Sequence, residues 1–164
     1  MMCLQKECEW HFKHGEIERQ KERRFELIEK YKGKEDLLLP KRSTQHSAAY
    51  DLRVSKETKI YKDEITLVPL VFKVYMPHDE YFQISLRSGN KIPMLMVNMI
   101  GIVDADYVDN PKNEGHVMIP ILYLGFCGQS LAAGCRIAQG VFLRYGTTGD
   151  VVEEVRTGGH GSTG

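Results

Sequence analysis

Asp104 and Asp106 stand two residues apart at the end of an apolar run, MLMVNMIGIVDADY. At that spacing both carboxylates face one side if the strand continues. A carboxylate held next to a bound water can act as general base. Three other stretches carry the chemistry of oxyanion binding. RSG, 87–89, follows a strand-like stretch and sets an arginine, a hydroxyl and a backbone N–H at one tip. GCRIAQG, 134–140, opens a strand with Arg136 and Gln139. RTGGHGSTG, 156–164, holds four glycines, three hydroxyl side chains and one arginine. Glycine loses more backbone freedom on ordering than any other residue, so this stretch should move unless a partner ties it down. Arginine, hydroxyls and backbone N–H groups all suit phosphate. Taken singly, each stretch also suits a plain role: a turn, two solvated strand-end carboxylates, a core tyrosine, an exposed glutamine, a frayed end. No GxxxxGK[ST] occurs, and GGHGSTG has neither the lysine nor a following helix, so phosphate would be handled on a β scaffold.

The elements around these residues read as short strands. AAYDLRV alternates. ITLVPLVFKVYM is rich in β-branched and aromatic residues. YFQISLR puts Phe82, Ile84 and Leu86 on one face, and MLMVNMIGIVD, HVMIPILYLGF and CRIAQGVFLRY follow at similar spacing. Turn signals part them: MPHDE, RSGNK, DNPKNEG, GQSLAAG and YGTTGD. No sustained helical period follows Ser43, and no internal repeat is present. The pattern predicts an all-β sandwich or barrel such as a jelly roll. Before it, FELIEKY, 25–31, reads as strand, and EIERQKERR, 16–24, as an exposed helix or a disordered stretch. The expected organisation is a polar N-terminal extension over 1–22, a β domain over 23–150 and a flexible C-terminal arm over 151–164.

The chain has 164 residues, enough for one domain with a core. Lys+Arg and Asp+Glu number 22 each, and this balance argues against a general nucleic-acid binder. A small anionic ligand needs only local charge. MMCLQKECEW lacks the apolar core of a signal peptide, and IPMLMVNMIGIV is too short to span a bilayer, so no membrane is expected and a cytoplasmic location is. The cysteines, at 3, 8, 127 and 135, form no CxxC pair and are expected as free thiols. Cys3, Cys8, His11 and His14 are spaced C-x4-C-x2-H-x2-H, tighter at the end than a zinc finger, and a solvated extension is the better reading.

Taken in order, these stretches resemble the five motifs of the trimeric dUTPases. LPKRSTQHSAAYDL, 39–52, is similar to the first motif, usually carrying AGYDL. RSG is similar to the second, NMIGIVDADY, 98–107, to the third, GCRIAQGVF, 134–142, to the fourth, usually GDRIAQ, and RTGGHGSTG to the fifth, usually ending GGFGSTG. NPKNEGH, 110–116, is similar to the form found in Gram-positive bacteria and their phages. Five ordered motifs are far more specific than one.

The resemblance implies a jelly-roll-like β-barrel in a homotrimer, with each site shared between subunits and a mobile arm closing over it. It implies hydrolysis of dUTP to dUMP and pyrophosphate with Mg²⁺, which keeps uracil out of DNA and supplies dUMP for thymidylate synthesis. Under it Asp104 is the general base, and Asn98 with the backbone at Gly101 and Ile102 reads the uracil edge. Tyr107 packs under the deoxyribose and leaves no room for a 2′-hydroxyl. Arg87, Ser88, Gly89 and Gln139 hold phosphates, and Asp51 supports the metal through bound water. Arg156 meets the terminal phosphate, Ser162 and the N–H groups near Gly161 meet the others, and His160 stacks on uracil. The chain departs from the family pattern at Ala49, Cys135 and His160 and in NKIPML after RSG. Two rivals stand beside this reading: a dCTP deaminase of the same fold, and a dUTPase-like module that binds nucleotide or protein with little turnover.

Overall fold

The computed structural model describes Gly15, Glu18, Arg19 and residues 22–150 and 152–159. Twelve strands fill these residues: β1 (Arg24–Leu27), β2 (Lys41–Arg42), β3 (Tyr50–Arg53), β4 (Thr58–Ile60), β5 (Ile65–Pro69), β6 (Phe72–Tyr75), β7 (Glu80–Leu86), β8 (Met94–Met96), β9 (Gly101–Asp104), β10 (Met118–Tyr123), β11 (Gln129–Leu131) and β12 (Arg136–Arg144). A five-stranded sheet runs β2-β3-β12-β7-β9, a three-stranded sheet β5-β10-β8, and two pairs join β1 to β6 and β4 to β11. Every strand pair is antiparallel. This is the all-β jelly-roll architecture that the turn spacing predicts.

One core joins the sheets, with Phe72 and Phe82 fully buried in it and Phe25 and Phe142 partly buried against it. Phe25 of β1 meets Phe72 of β6, Phe82 of β7 and Phe142 of β12 with ring centroids 5.4–5.6 Å apart. The pairs with Phe72 and Phe82 are edge-on, and such packing adds roughly 0.5–1.5 kcal/mol per pair beyond area burial. β7 follows the predicted alternation, with Phe82 and Ile84 buried. Gly140, opposite Ile84 on β12, makes room for Phe82: a Cβ there would lie 2.1 Å from its Cζ.

Three runs behave differently from their pattern. ITLVPLVFKVYM is two strands, because Leu70 and Val71 carry the chain from one sheet to another, and Val71 has a φ of 55°. Its N–H donates to His116 Nε2 at 3.2 Å, and the Leu70 N–H to Val117 O at 3.1 Å. MLMVNMIGIVD breaks at a turn over 97–100, where Met99 has a φ of 59°. In GCRIAQG a β-bulge between Arg136 and Ala138 buries Ile137 and Ala138 in succession. A bulge leaves one residue unpaired and re-aims its neighbours; here Arg136 faces the first motif.

FELIEKY is half strand: β1 ends at Leu27, and Glu29–Tyr31 form a 3-10 turn. Helical geometry occurs at Gly15, Glu18, Arg19 and Glu22 within the polar stretch. Arg19 pairs with Asp79 at 2.6 Å, and Arg23 with the buried Glu80 at 2.5 Å. Cys127 and Cys135 are free thiols as expected, while Cys3, Cys8, His11 and His14 lie outside the described residues.

Candidate active site

The third motif builds a cavity of about 280 Å³. β9 lies antiparallel on β7, with Gly101 opposite Ile84 and Asp104 opposite Tyr81. The turn before β9, closed by Met99 N donating to Met96 O at 2.8 Å, delivers Asn98 to the cavity wall. Asn98, Gly101, Ile102, Asp104 and Tyr107 all line it. Tyr107 is 8% exposed, its phenol held above the usual pKa by burial, so it is a neutral donor at physiological pH.

The strand does not continue past Asp104. Ala105–Tyr107 form a 3-10 turn instead, yet Asp104 and Asp106 still converge. Their meeting point is Arg156 of the arm: Nη2 lies 2.5 Å from Asp104 Oδ2 and Nε 2.8 Å from Asp106 Oδ1. The arm then crosses the Tyr107 ring. A Cβ on Gly159 would sit 2.2 Å from Tyr107 Cε2, so only glycine lets the backbone come this close.

The first, second and fourth motifs form a second cavity, of about 410 Å³, lined by Asp51, Arg87, Ser88, Gly89 and Gln139 among others. β3 and β12 pair Asp51 with Gln139, and the turn after β7 presents Arg87. Asp51 organises the charge. Arg87 Nε stands 2.7 Å from its Oδ1, and Arg136 Nη1 (2.9 Å) and Ser43 Oγ (2.6 Å) donate to Oδ2. Burial pushes the Asp51 carboxyl pKa up, but the Ser43 hydroxyl and the two arginines outweigh it and hold it below the usual range. No group of three or more His, Cys, Asp or Glu side chains converges to cage a metal among the described residues. A carboxylate offers about four acceptor positions. With Arg87 on Oδ1 and both Arg136 and Ser43 on Oδ2, these contacts take three of the carboxylate's acceptor positions. The donor set therefore fits outer-sphere support of a cation carried by a ligand's own phosphates.

A family model described as dUTPase matches residues 35–164. The chain belongs to the dUTPase family. The deoxyuridine 5'-triphosphate nucleotidohydrolase of Lactococcus lactis subsp. lactis is 38% identical over 148 residues, covering 87% of this chain and 97% of that protein. The crystal structure of the dUTPase from Streptococcus mutans is 39% identical with a TM-score of 0.73, covering 77% of this chain and 98% of that one. The dUTPase from phage phi11 of S. aureus shares the fold, with a TM-score of 0.62 at 18% identity over 82% of this chain and 98% of that one.

The dUTPase motifs thus gather as two groups. Asn98, Gly101, Ile102, Asp104, Tyr107 and Arg156 meet at one cavity; Asp51, Arg87, Ser88, Gly89 and Gln139 meet at the other. The two cavities share no lining residue. His160, Gly161 and Ser162 lie outside the described residues. Sequence reasoning assigned no role to Ser43, which sits beside Arg42 in the first motif as one hydroxyl among several. It also assigned none to Asn110 and Asn113, whose amides hold Tyr107. The signal for that pair was two asparagines three apart in a proline- and glycine-containing turn, where Asn side chains habitually bond backbone.

Proposed function

We propose that the chain hydrolyses dUTP to dUMP and pyrophosphate, as its family membership implies, with Asp104 as the general base. The observation that carries the reading is the position of Asp104: on the wall of the Asn98–Tyr107 cavity and within reach of the arm's arginine. The uracil edge meets Asn98 and the backbone at Gly101 and Ile102, and the deoxyribose lies on Tyr107. Arg87, Ser88, Gly89 and Gln139 hold phosphates. Asp51 would support, through water, a Mg²⁺ bound to the triphosphate, and that ion would supply charge neutralisation on the phosphate oxygens. Phosphoryl transfer depends on positioning and charge stabilisation more than on covalent help.

Arg156 links binding to chemistry. Its guanidinium pairs with the Asp104 and Asp106 carboxylates. A triphosphate offers the same fork stronger anionic oxygens. Transfer of Arg156 to phosphate frees Asp104 to accept a proton from the attacking water, whose oxygen ends on one product as the bond between the α- and β-phosphates breaks. The arm, with His160 on the base and Ser162 and the N–H groups near Gly161 on phosphates, then excludes bulk water.

The site belongs to a homotrimer in this reading. In this reading a single dUTP engages both cavities, which share no lining residue within one chain. The face of β5-β10-β8 leaves Ile65, Leu67, Leu95 and Val97 exposed around Leu122 and Pro120, an apolar area of the kind that marks association. Among the described residues no helix is long and apolar enough to cross a membrane, and we place the enzyme in the cytoplasm. A panel of nucleoside triphosphates with Mg²⁺ tests the reading. Pyrophosphate and dUMP from dUTP support it. Ammonia from dCTP would assign a deaminase, and tight dUTP binding with no product would assign a binding module.

A further inference from the structure

The loop between Tyr107 and β10 is built around two asparagine side chains. Asn110 is 4% exposed, and every polar atom of its amide is used. Its Nδ2 donates to Tyr107 O at 2.8 Å and to Asn113 Oδ1 at 2.7 Å, and its Oδ1 accepts from the N–H groups of Lys112 and Asn113 at 3.2 Å each. Asn113 Oδ1 also accepts from Gly115 N at 3.1 Å. That leaves the Asn113 Nδ2, which donates to the Tyr107 hydroxyl at 2.8 Å; the hydroxyl in turn donates to His116 O at 3.0 Å. The phenol is thus clamped between a side-chain amide and a carbonyl of the same loop. Gly115, with a φ of 81°, holds the loop closed: a Cβ there would lie 2.8 Å from Val108 Cα and 2.9 Å from Tyr107 O.

The clamp acts at the hydroxyl end of a side chain that lines the cavity. An untethered phenyl ring turns about χ2 and shifts within its rotamer well. A hydroxyl fixed from two sides cannot do so without breaking a buried hydrogen bond. We propose that Asn113, seated by Asn110, is a positioning residue for Tyr107 and sets how strictly the site refuses a 2′-hydroxyl. The inference rests on the reading above, that the sugar lies on Tyr107. A loop that merely stabilised the fold would affect dUTP and UTP alike. A clamp on the ring changes their ratio, because the extra oxygen of UTP needs space that only a displaced ring provides.

The experiment compares kcat/KM for dUTP and UTP in the full chain with Mg²⁺, for wild type, Asn113→Ala, Tyr107→Phe, the double variant and Tyr107→Ala, with a melting temperature for each. The expected result is that Asn113→Ala, which removes one of the hydroxyl's two hydrogen bonds, lowers the dUTP:UTP ratio by roughly 5–10-fold, and that Tyr107→Phe, which removes both, lowers it at least as much. The double variant should be no worse than Tyr107→Phe, because the bond that Asn113→Ala cuts is already gone there. A wild-type ratio in Asn113→Ala, beside a collapsed ratio in Tyr107→Ala, would overturn the clamp and leave the sugar reading intact. A wild-type ratio in Tyr107→Ala would overturn the sugar reading and the clamp with it. Fully additive losses in the double variant would also overturn the clamp, since the two groups would then act separately. If Asn113→Ala proves too unstable to assay, Tyr107→Phe decides alone: it keeps the loop's asparagines and removes only the hydroxyl, and a wild-type ratio there overturns the proposal.

Discussion

Single atoms decide most of this site's chemistry. Asp104 has one oxygen on Arg156 and its backbone fixed by β9 against β7. Asp104→Asn keeps the shape and removes the base, so kcat should fall by roughly 10²-fold or more while dUTP still binds. Rapid-quench turnover beside equilibrium binding checks this, and wild-type turnover would remove Asp104 from the mechanism. Asp51 shows its role through pH. Its folded pKa lies below the ordinary value, so its stabilisation is fully present above about pH 4 and is lost as pH falls through the folded pKa. Asp51→Asn should therefore melt lower than wild type at pH 7, and the gap should narrow below about pH 4. A gap that stays constant down to pH 2 would show that the charge is not what Asp51 contributes. Asp51, Asp104, Tyr107 and Gln139 could be named as candidates because the motifs single them out, and the structure sets Asp104 and Tyr107 on one cavity and Asp51 and Gln139 on the other. The Ser43–Asp51–Arg136 cluster was not legible, since Asp51 and Arg136 lie 85 positions apart in sequence and meet only through β3–β12 pairing.

Between residues and molecule stand the strands and the arm. Alternation made β7 readable, because Glu80, Phe82 and Ile84 on one face are buried and the residues between them are less so. The break at Leu70–Val71 was hidden, since buried residues on both sides of a crossing look like one continuous apolar run. The bulge in β12 was hidden for a related reason: Ile137 and Ala138 are both buried, and only pairing with β3 shows which residue is extra. The fit of β12 to β7 is testable. Gly140→Ala sets a methyl against Phe82 and should cost about 1–3 kcal/mol of stability. Activity should fall with it, because Gln139 is the adjacent residue in the second cavity. Chemical denaturation reads the first effect and dUTP kinetics the second; unchanged stability would mean the ring moves aside freely. Deleting 156–164 removes the guanidinium along with the glycines, and kcat/KM should drop on the order of 10²–10³-fold. A truncated chain with wild-type kinetics would show that the arm is dispensable and that the Arg156 contact has no catalytic consequence.

At the scale of the whole molecule, the polar extension and the assembly remain. Arg19 and Asp79 are both partly exposed, and such a pair contributes at most about 1 kcal/mol. Deleting residues 1–22 should therefore leave assembly and turnover intact. Arg23 differs, because it holds Glu80, which is only 1% exposed, with Arg144 Nε 3.7 Å from the same carboxylate. Arg23→Ala should cost up to about 3 kcal/mol, with Arg144 compensating in part. Thermal melts of the two variants check both expectations, and a 1–22 deletion as damaging as Arg23→Ala would show that the extension has a structural role of its own. Sedimentation should find three copies under the proposed reading, in which one dUTP engages two cavities that share no lining residue within a chain. A fully active monomer would contradict that. The central claim is the reaction itself, and product analysis tests it most directly. Purified protein, dUTP and Mg²⁺ should give dUMP and pyrophosphate in equal amounts, with UTP left largely intact and a chelator abolishing turnover. Inorganic phosphate with dUDP, free ammonia, or unchanged dUTP under those conditions would contradict the account.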